Sequence, residues 1–490
     1  MHFEWQQWWK YLKTSVPVIL SALLLTLNNL VDNFSALAIS GGSQALAYAN
    51  TWTSLIWAIL VATTIVGATL CARYQNQANL NSRLWNQRLS WAWLMVIGFA
   101  IAALINPQQM IKLVSGFDPH LDRSIINQAS EYLRLIAIDW MVIAWLALIL
   151  NHWKETKQGV AALIASGLMF AFNLSCNFLL LNLVGFDLKW LAVSTLITNF
   201  STLVIVLILK LIKRQNRQFA FMFKPWLIFN FKPGDWNLWK KQIATFLMIA
   251  IAIATVSIRF IFWNVGYPSG SIGDPIFAIS GANILAISGI FFDLVWTTMD
   301  ASYANTTIWV GSALANDHHL EAKQISKQLH HFHLVLALVM GLILILVNLG
   351  TTQFHFLSTS YQQALSKQLS AQGYDQSQIK LMIEQGSQVL LTQVQTSIWI
   401  LGANLVVFMA YISKKNILAI YDHNQFCAIS ELIISSFQLG WIAIINYLMK
   451  INNFALAYLV FFLSDWLKVI TFYLGAWWLI EKVRLNSLEI

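Results

Sequence analysis

Residues 16–39 read VPVILSALLLTLNNLVDNFSALAI, an apolar run whose second half is interrupted by Asn28, Asn29, Asp32 and Asn33. A helix needs about 20 apolar residues to cross a bilayer, so this run is long enough to span one. Eleven further runs follow, near 51–72, 89–106, 132–151, 159–183, 188–212, 242–265, 276–310, 332–350, 389–412, 425–448 and 454–480. Lipid supplies no water to backbone amides and carbonyls, and runs this long exceed the roughly ten residues of a barrel strand, so each reads as a helix. The fold class is an all-α membrane protein with twelve transmembrane helices.

Composition agrees. Of 490 residues, 58% are hydrophobic and 10% charged, against about 25% charged in a soluble globular chain. That excludes a soluble enzyme, a secreted disulfide scaffold and a nucleic-acid binder. Cys71, Cys176 and Cys427 lie far apart and suggest neither a disulfide framework nor a zinc site. The first run has no small-residue cleavage site, so it reads as a retained helix rather than a signal peptide.

Under an alternating twelve-span scheme, 21 of the 30 Lys and Arg residues fall on one side and seven on the other, while Arg259 and Lys468 lie within spans. The richer side is cytoplasmic by the positive-inside rule, which places both termini there. Residues 213–241 are basic, contain Pro225 and Pro233, and interleave Trp226, Phe229, Phe231, Trp236 and Trp239, as expected of a linker on the inner membrane surface. Six spans flank it on either side. The division is an amino-terminal six-helix lobe, 1–212, the linker, 213–241, and a carboxy-terminal six-helix lobe, 242–490. With equal span numbers the lobes are parallel repeats related by a pseudo-twofold axis along the membrane normal, an arrangement that places substrate between them near the midplane. The polar stretch 351–388, rich in Gln and Ser, is expected to be an external loop.

An ionisable side chain inside a span costs about 2.5–3.5 kcal/mol on insertion scales, so each is a functional candidate. Asp32 leads. Asn28 and Asn29 precede it by four and three residues, which on a helix forms one polar stripe suited to a proton or a small hard cation. The competing reading is a carboxylate bonded to asparagines for packing alone. Asn173 and Asn177 are four apart on the fifth span, and the sixth carries Ser194, Thr195, Thr198 and Asn199. These either line the same cavity or join helices. Asp139 is expected in a structural ion-pair network with Glu131 and Arg134. Arg259 either pairs with Asp293, one of two acids with Asp300 on the next span, or faces the central cavity as an anion-binding residue. Glu431 is either a second proton site or a group reaching water at the inner interface. His318, His319, His330, His331 and His333 fall in an expected cytoplasmic turn and lack metalloprotease spacing, so a solvated helix end outweighs a metal site. No G-x-x-x-x-G-K-[ST] loop occurs in the chain, so ATP hydrolysis by this chain is not the driving force.

The run Pro17-Val18-Ile19-Leu20-Ser21, then Leu27-Asn28-Asn29-Leu30-Val31-Asp32 and the small-residue turn Gly41-Gly42 before Ala45-Leu46-Ala47, resembles the first helix of multidrug and toxic compound extrusion (MATE) transporters, of the MOP flippase superfamily. The polar exits of the second and eighth spans and the turn at Lys154-Glu155-Thr156-Lys157 are also similar to that family. The resemblance implies a membrane antiporter, not an enzyme, acting as a monomer in the inner or plasma membrane. It would need no cofactor beyond a coupling ion, H⁺ or Na⁺, and would export small organic substrates. Carried over residue by residue, the coupling positions of the proton-coupled bacterial branch are Asp32, Asn173, Asn177 and Thr195. Asn177 stands where the pattern has Asp. The expected substrate cavity contains Asn28, Asn29, Arg259 and Asp293. A lipid-linked precursor flippase, with Arg259 as its anion anchor, is the alternative within the superfamily.

Overall fold

The computed structural model describes residues 5–37, 39, 42–74, 78–114, 123–185, 187–213, 235–353 and 355–482. Its helices in chain order are α1 (Trp5–Leu37), α2 (Gly42–Tyr74), α3 (Ala78–Ile105), α4 (Pro107–Val114), α5 (Arg123–Glu155), α6 (Gly159–Leu183) and α7 (Leu188–Lys213). The second half contains α8 (Asp235–Gly266), α9 (Gly281–Asn305), α10 (Gly311–Ala315), α11 (His319–Val347), α12 (Thr359–Ala371), α13 (Gln376–Ile420), α14 (Asn424–Ala443), α15 (Phe454–Phe462) and α16 (Asp465–Ala476). Among the described residues there is no strand, only an isolated bridge between Ile272 and Ile279.

Ten helical segments among the described residues are long and apolar enough to cross a membrane. The expected seventh and eighth spans fall on α8 and α9; α8 holds a shorter apolar stretch, Gln242–Thr255. Most of the expected linker, including Pro225, Trp226, Phe229, Phe231 and Pro233, lies outside the described residues, as does Gly41 of the first-helix motif.

The expected loop at 351–388 is largely helical, formed by α12 and the first turns of α13. Its polarity marks exposure rather than irregular backbone, because Gln, Lys and Leu are good helix formers. Asp375 starts α13: one carboxylate oxygen accepts from the Ser377 and Gln378 amides, both at 2.9 Å, and Gln378 bonds back to the Asp375 amide in a capping box. At 45 residues, α13 is roughly 67 Å long, more than twice the hydrocarbon thickness. It therefore carries its polar first turns beyond the apolar layer.

Two apolar cores organise the bundle. One joins α2, α3, α5, α6 and α7, and takes in Phe246 and Ile249 of α8. The other joins α8, α9, α11, α12, α13 and the last helices. Between the halves α1 packs on both α6 and α9, and α2 on both α5 and α8. A third cluster seals the end of the bundle where α1 begins, with Tyr11 and Ala72 against Val310, Ala313, Leu329, Phe332 and Ile420. There a Cβ on Gly311 would lie 2.4 Å from that of Ala72, so only glycine permits the approach. The seal has polar bonds as well. Lys154 Nζ meets Asp300 Oδ2 at 2.7 Å, Asn305 donates to Ser15 Oγ at 2.8 Å, the Tyr11 hydroxyl donates to Gln328 at 3.1 Å, and Lys157 sits 4.8 Å from the Trp309 ring.

The same end of the amino-terminal half holds a buried ion pair. Both terminal nitrogens of Arg88 on α3 bond the Glu155 carboxylate, at 3.0 and 3.1 Å, and Arg88 Nε donates to the Thr63 carbonyl. The bidentate geometry compensates the desolvation of both charges. A Cβ on Gly67 would fall 1.8 Å from Arg88 Nε, so glycine makes room for the guanidinium.

Candidate cation-coupling site

Asp32 and Asn28 lie one turn apart on the buried face of α1, each 8% exposed. Asn29 is exposed and stands outside the cluster, and its carbonyl accepts from Asn33 instead. The expected three-residue stripe is therefore narrowed to two, because residues one position apart point about 100° away from each other.

Around Asp32 the structure gathers donors from two other helices. Oδ1 accepts from Asn173 Nδ2 at 3.1 Å and from Asn177 Nδ2 at 2.7 Å, both on α6. Oδ2 accepts from Thr195 Oγ1 of α7 at 3.4 Å, while that hydroxyl also reaches the Leu191 carbonyl at 3.0 Å. Ser194 lies 3.5 Å from Asn173 Oδ1. Asn173 and Asn177 are each 2% exposed, so the site is closed to bulk solvent. The side-chain oxygens of Asn28 and Asn177 are buried without a hydrogen-bond partner. A carboxylate held by neutral donors and flanked by spare amide oxygens can accept a proton or face a small cation.

Asp139 does not join Glu131 and Arg134, which are exposed. Five residues of helix turn Arg134 about 140° away from it. Asp139 is 3% exposed and accepts from Asn199 Nδ2 of α7 at 2.8 Å. At the ends of α5 and α7, an open depression of about 620 Å³ is lined by Ser124, Asn127, Gln128, Glu131, Asp187 and Lys189, together with Ile39.

The carboxy-terminal half is arranged differently. Arg259 on α8 donates to Gln438 Oε1 at 2.5 Å, and its guanidinium lies 5.3 Å from the Phe461 ring. Gln438 donates in turn to Asp465 at 2.8 Å and Ser464 at 2.9 Å, and Asn404 donates to the other Asp465 oxygen. The Asp293 side chain lies outside the described residues. Asp300, the other acid expected near Arg259, pairs with Lys154 across the halves. Glu431 is buried between Lys415 at 3.0 Å and Lys468 at 3.1 Å, so it neither reaches water nor stands alone. Spacing missed this because Lys415 lies beyond the apolar run, where it read as a loop residue, and Lys468 sits on a different helix. The cluster contains three bases, Arg259, Lys415 and Lys468, and two acids, Glu431 and Asp465.

The histidines divide. His318, His319 and His331 are exposed, as a solvated helix end requires, but His330 and His333 are buried on α11. His330 bonds the Tyr473 hydroxyl at 2.5 Å, and His333 Nδ1 faces Ser302 and Ser413. Helical periodicity turns these two inward. No group of three or more His, Cys, Asp or Glu capable of holding a metal occurs among the described residues.

These features define the class as a multi-pass α-helical membrane protein that keeps acids, bases and amides between its helices, where membrane proteins place ion and solute pathways. The chain has the fold of the MATE transporters of the MOP superfamily. It matches a MOP superfamily transporter from Pyrococcus furiosus described as having a binding pocket of reversed polarity that suggests a different function, a multidrug resistance MATE transporter in an outward-facing conformation, and a MATE transporter in complex with MaL6. Each match has a TM-score of 0.71 at 14% identity, covering 98% of this chain and 96% of the other. No protein-family profile matches the chain, and no curated protein matches it in sequence.

Proposed function

We propose that the protein is a secondary active transporter, a cation-coupled antiporter driven by H⁺ or Na⁺ that exports small organic or cationic substrates. Twelve transmembrane helices would form two six-helix lobes, 1–212 and 242–490, joined by 213–241 and related by a parallel pseudo-twofold. The protein would sit as a monomer in the inner or plasma membrane with both termini cytoplasmic. The carrying observation is the Asp32 carboxylate, bound among the described residues by Asn173, Asn177 and Thr195 and by no base. An ionised carboxylate accepts hydrogen bonds, whereas a protonated one must also donate. Loading a proton therefore reverses one bond: Thr195 Oγ1 can accept from a protonated Oδ2 while donating to the Leu191 carbonyl, or an amide of Asn173 or Asn177 can turn its oxygen toward Asp32, as Na⁺ would require. The site thus has two hydrogen-bond arrangements, and a shift between them can bias the lobes as they rock about a central cleft.

The test is efflux of fluorescent cationic dyes from everted vesicles with H⁺ and Na⁺ gradients imposed separately, for wild type and Asp32→Asn. Gradient-dependent efflux lost in the variant supports the reading; unchanged efflux refutes it. The second reading, a lipid-linked precursor flippase, is favoured by the excess of bases around Arg259 and by the neighbour of reversed pocket polarity. It expects Arg259→Ala to abolish function and Asp32→Asn to matter less.

A further inference from the structure

Asn177 leaves the coupling cluster with one carboxylate where the resembling pattern has two, but a second buried acid stands close by on another helix. Asp32 and Asp139 are served by the same face of α7: Thr195 donates to Asp32 and Asn199, four residues on, donates to Asp139. Four residues of helix rise about 6 Å, so the two acids are bound one turn apart. The buried Tyr132 lies two turns from Asp139 on α5. Among the described residues, the other charges held between the helices around α5 are the buried pair Arg88 with Glu155, and buried Lys154 with the partly exposed Asp300. These pair with each other near the far end of α5, about 24 Å from Asp139 at 1.5 Å per residue.

The two acids are provided for unequally. Asp32 has three donors across both oxygens, the surroundings of an ionised carboxylate. Asp139 has one donor, on Oδ2, and its Oδ1 is buried with no partner. A buried charge with a single neutral donor is poorly compensated, and a second negative charge one turn away opposes it further. A proton on Oδ1 removes both penalties and leaves the Asn199 bond in place.

We propose that Asp139 is a second proton-binding site of the amino-terminal half, holding a proton while Asp32 is ionised. The proton is exchangeable between them: transfer from Asp32 to Asp139 moves one negative charge onto Asp32, and the reverse transfer moves it back. The use of this pair in transport rests on the coupling reading of Asp32; the protonated state of Asp139 does not.

Infrared spectra of the full chain in lipid at neutral pH test the assignment, because a protonated carboxylic acid has a carbonyl band distinct from carboxylate and amide bands. Asp139→Asn, nearly isosteric, is expected to remove a component of that band, and Asn199→Ala to shift it by removing its hydrogen bond. An acid band unchanged in Asp139→Asn overturns the proposal. In proteoliposomes with a pH-sensitive dye inside, Asp139→Asn is expected to lower the protons moved per cationic dye, and an unchanged ratio overturns its part in coupling. If the wild type moves no dye under either gradient, the transport reading fails while the infrared result still decides where the proton sits.

Discussion

Replacing Lys154 by Met removes the one ion pair between the halves at the closed end of the described bundle. The nitrogen to oxygen distance is 2.7 Å, and the side chains of Lys154 and Asp300 are 6% and 42% exposed. A fully exposed pair contributes about 0–1 kcal/mol, and stranding a fully buried partner costs about 3–5 kcal/mol. Here the stranded group is Asp300, whose exposure lets water replace much of what Lys154 supplied. The loss to the closed state is therefore about 2 kcal/mol, or roughly 30-fold in the equilibrium between closed and open ends. A closed to open ratio of about 99:1 would fall to roughly 3:1, since the bonds of Tyr11 and Asn305 and the Trp309 contact remain. Spin labels at Lys13 and Lys327, both exposed and near the Tyr11 to Gln328 bond, report this as dipolar distances in a background lacking Cys71, Cys176 and Cys427. Lys154→Met is expected to add a longer-distance population, and the charge swap Lys154→Asp with Asp300→Lys to reduce it again. A distance distribution identical to wild type in Lys154→Met would refute the latch.

Arg88→Met leaves Glu155 buried and unpaired, at a cost of about 3–5 kcal/mol, whereas adding Glu155→Leu recovers most of it by replacing the pair with apolar volume. Thermal unfolding in detergent checks this, and a double variant as unstable as the single one refutes it. At the start of α13, the Asp375 carboxyl is held below its ordinary value by the Ser377 hydroxyl and the backbone amides it accepts from. A depressed folded value means the cap contributes fully above the unfolded value and is lost as pH falls through the folded one. Hydrogen exchange at the Ser377 and Gln378 amides should therefore quicken relative to neighbouring amides in acid for wild type, and show no such step in Asp375→Asn.

What could be read from the chain alone is what is encoded locally. The apolar runs disclose the helices because lipid leaves no other backbone solution, and Asp32 stands out because a carboxylate in such a run is rare. Asn173, Asn177 and Thr195 were reachable through the family resemblance, and the structure places all three within hydrogen-bond reach of Asp32. Partnerships between distant helices were not legible. Lys154 and Asp300 are separated by 146 positions, and nothing in the turn around Lys154 distinguishes a paired lysine from a solvated one. The partners of Glu431 are not visible in the sequence because Lys415 lies past the apolar part of the preceding helix and Lys468 lies on a later one. The stretch 351–388 was misread as a loop because polarity reports contact with water, whereas helix formation there follows from propensity and the Asp375 cap.

The placement of bases decides which buried acids can change charge. Glu155 is bonded to Arg88 and Glu431 to two lysines. Protonating any of these would strand a buried cation, so their charges are fixed by their partners. Among the described residues, Asp32 and Asp139 are bonded by amides and a hydroxyl, which can reorient without stranding a charge. Among the described residues the buried acids without a basic partner, Asp32 and Asp139, therefore lie in the amino-terminal half, and the base-rich cluster around Glu431 lies in the other. The helix that carries Asp32 also carries Tyr11 and Ser15 into the seal between the halves and packs on α6 and α9 together. A change in the hydrogen bonding of Asp32 therefore acts on a helix already held by both halves.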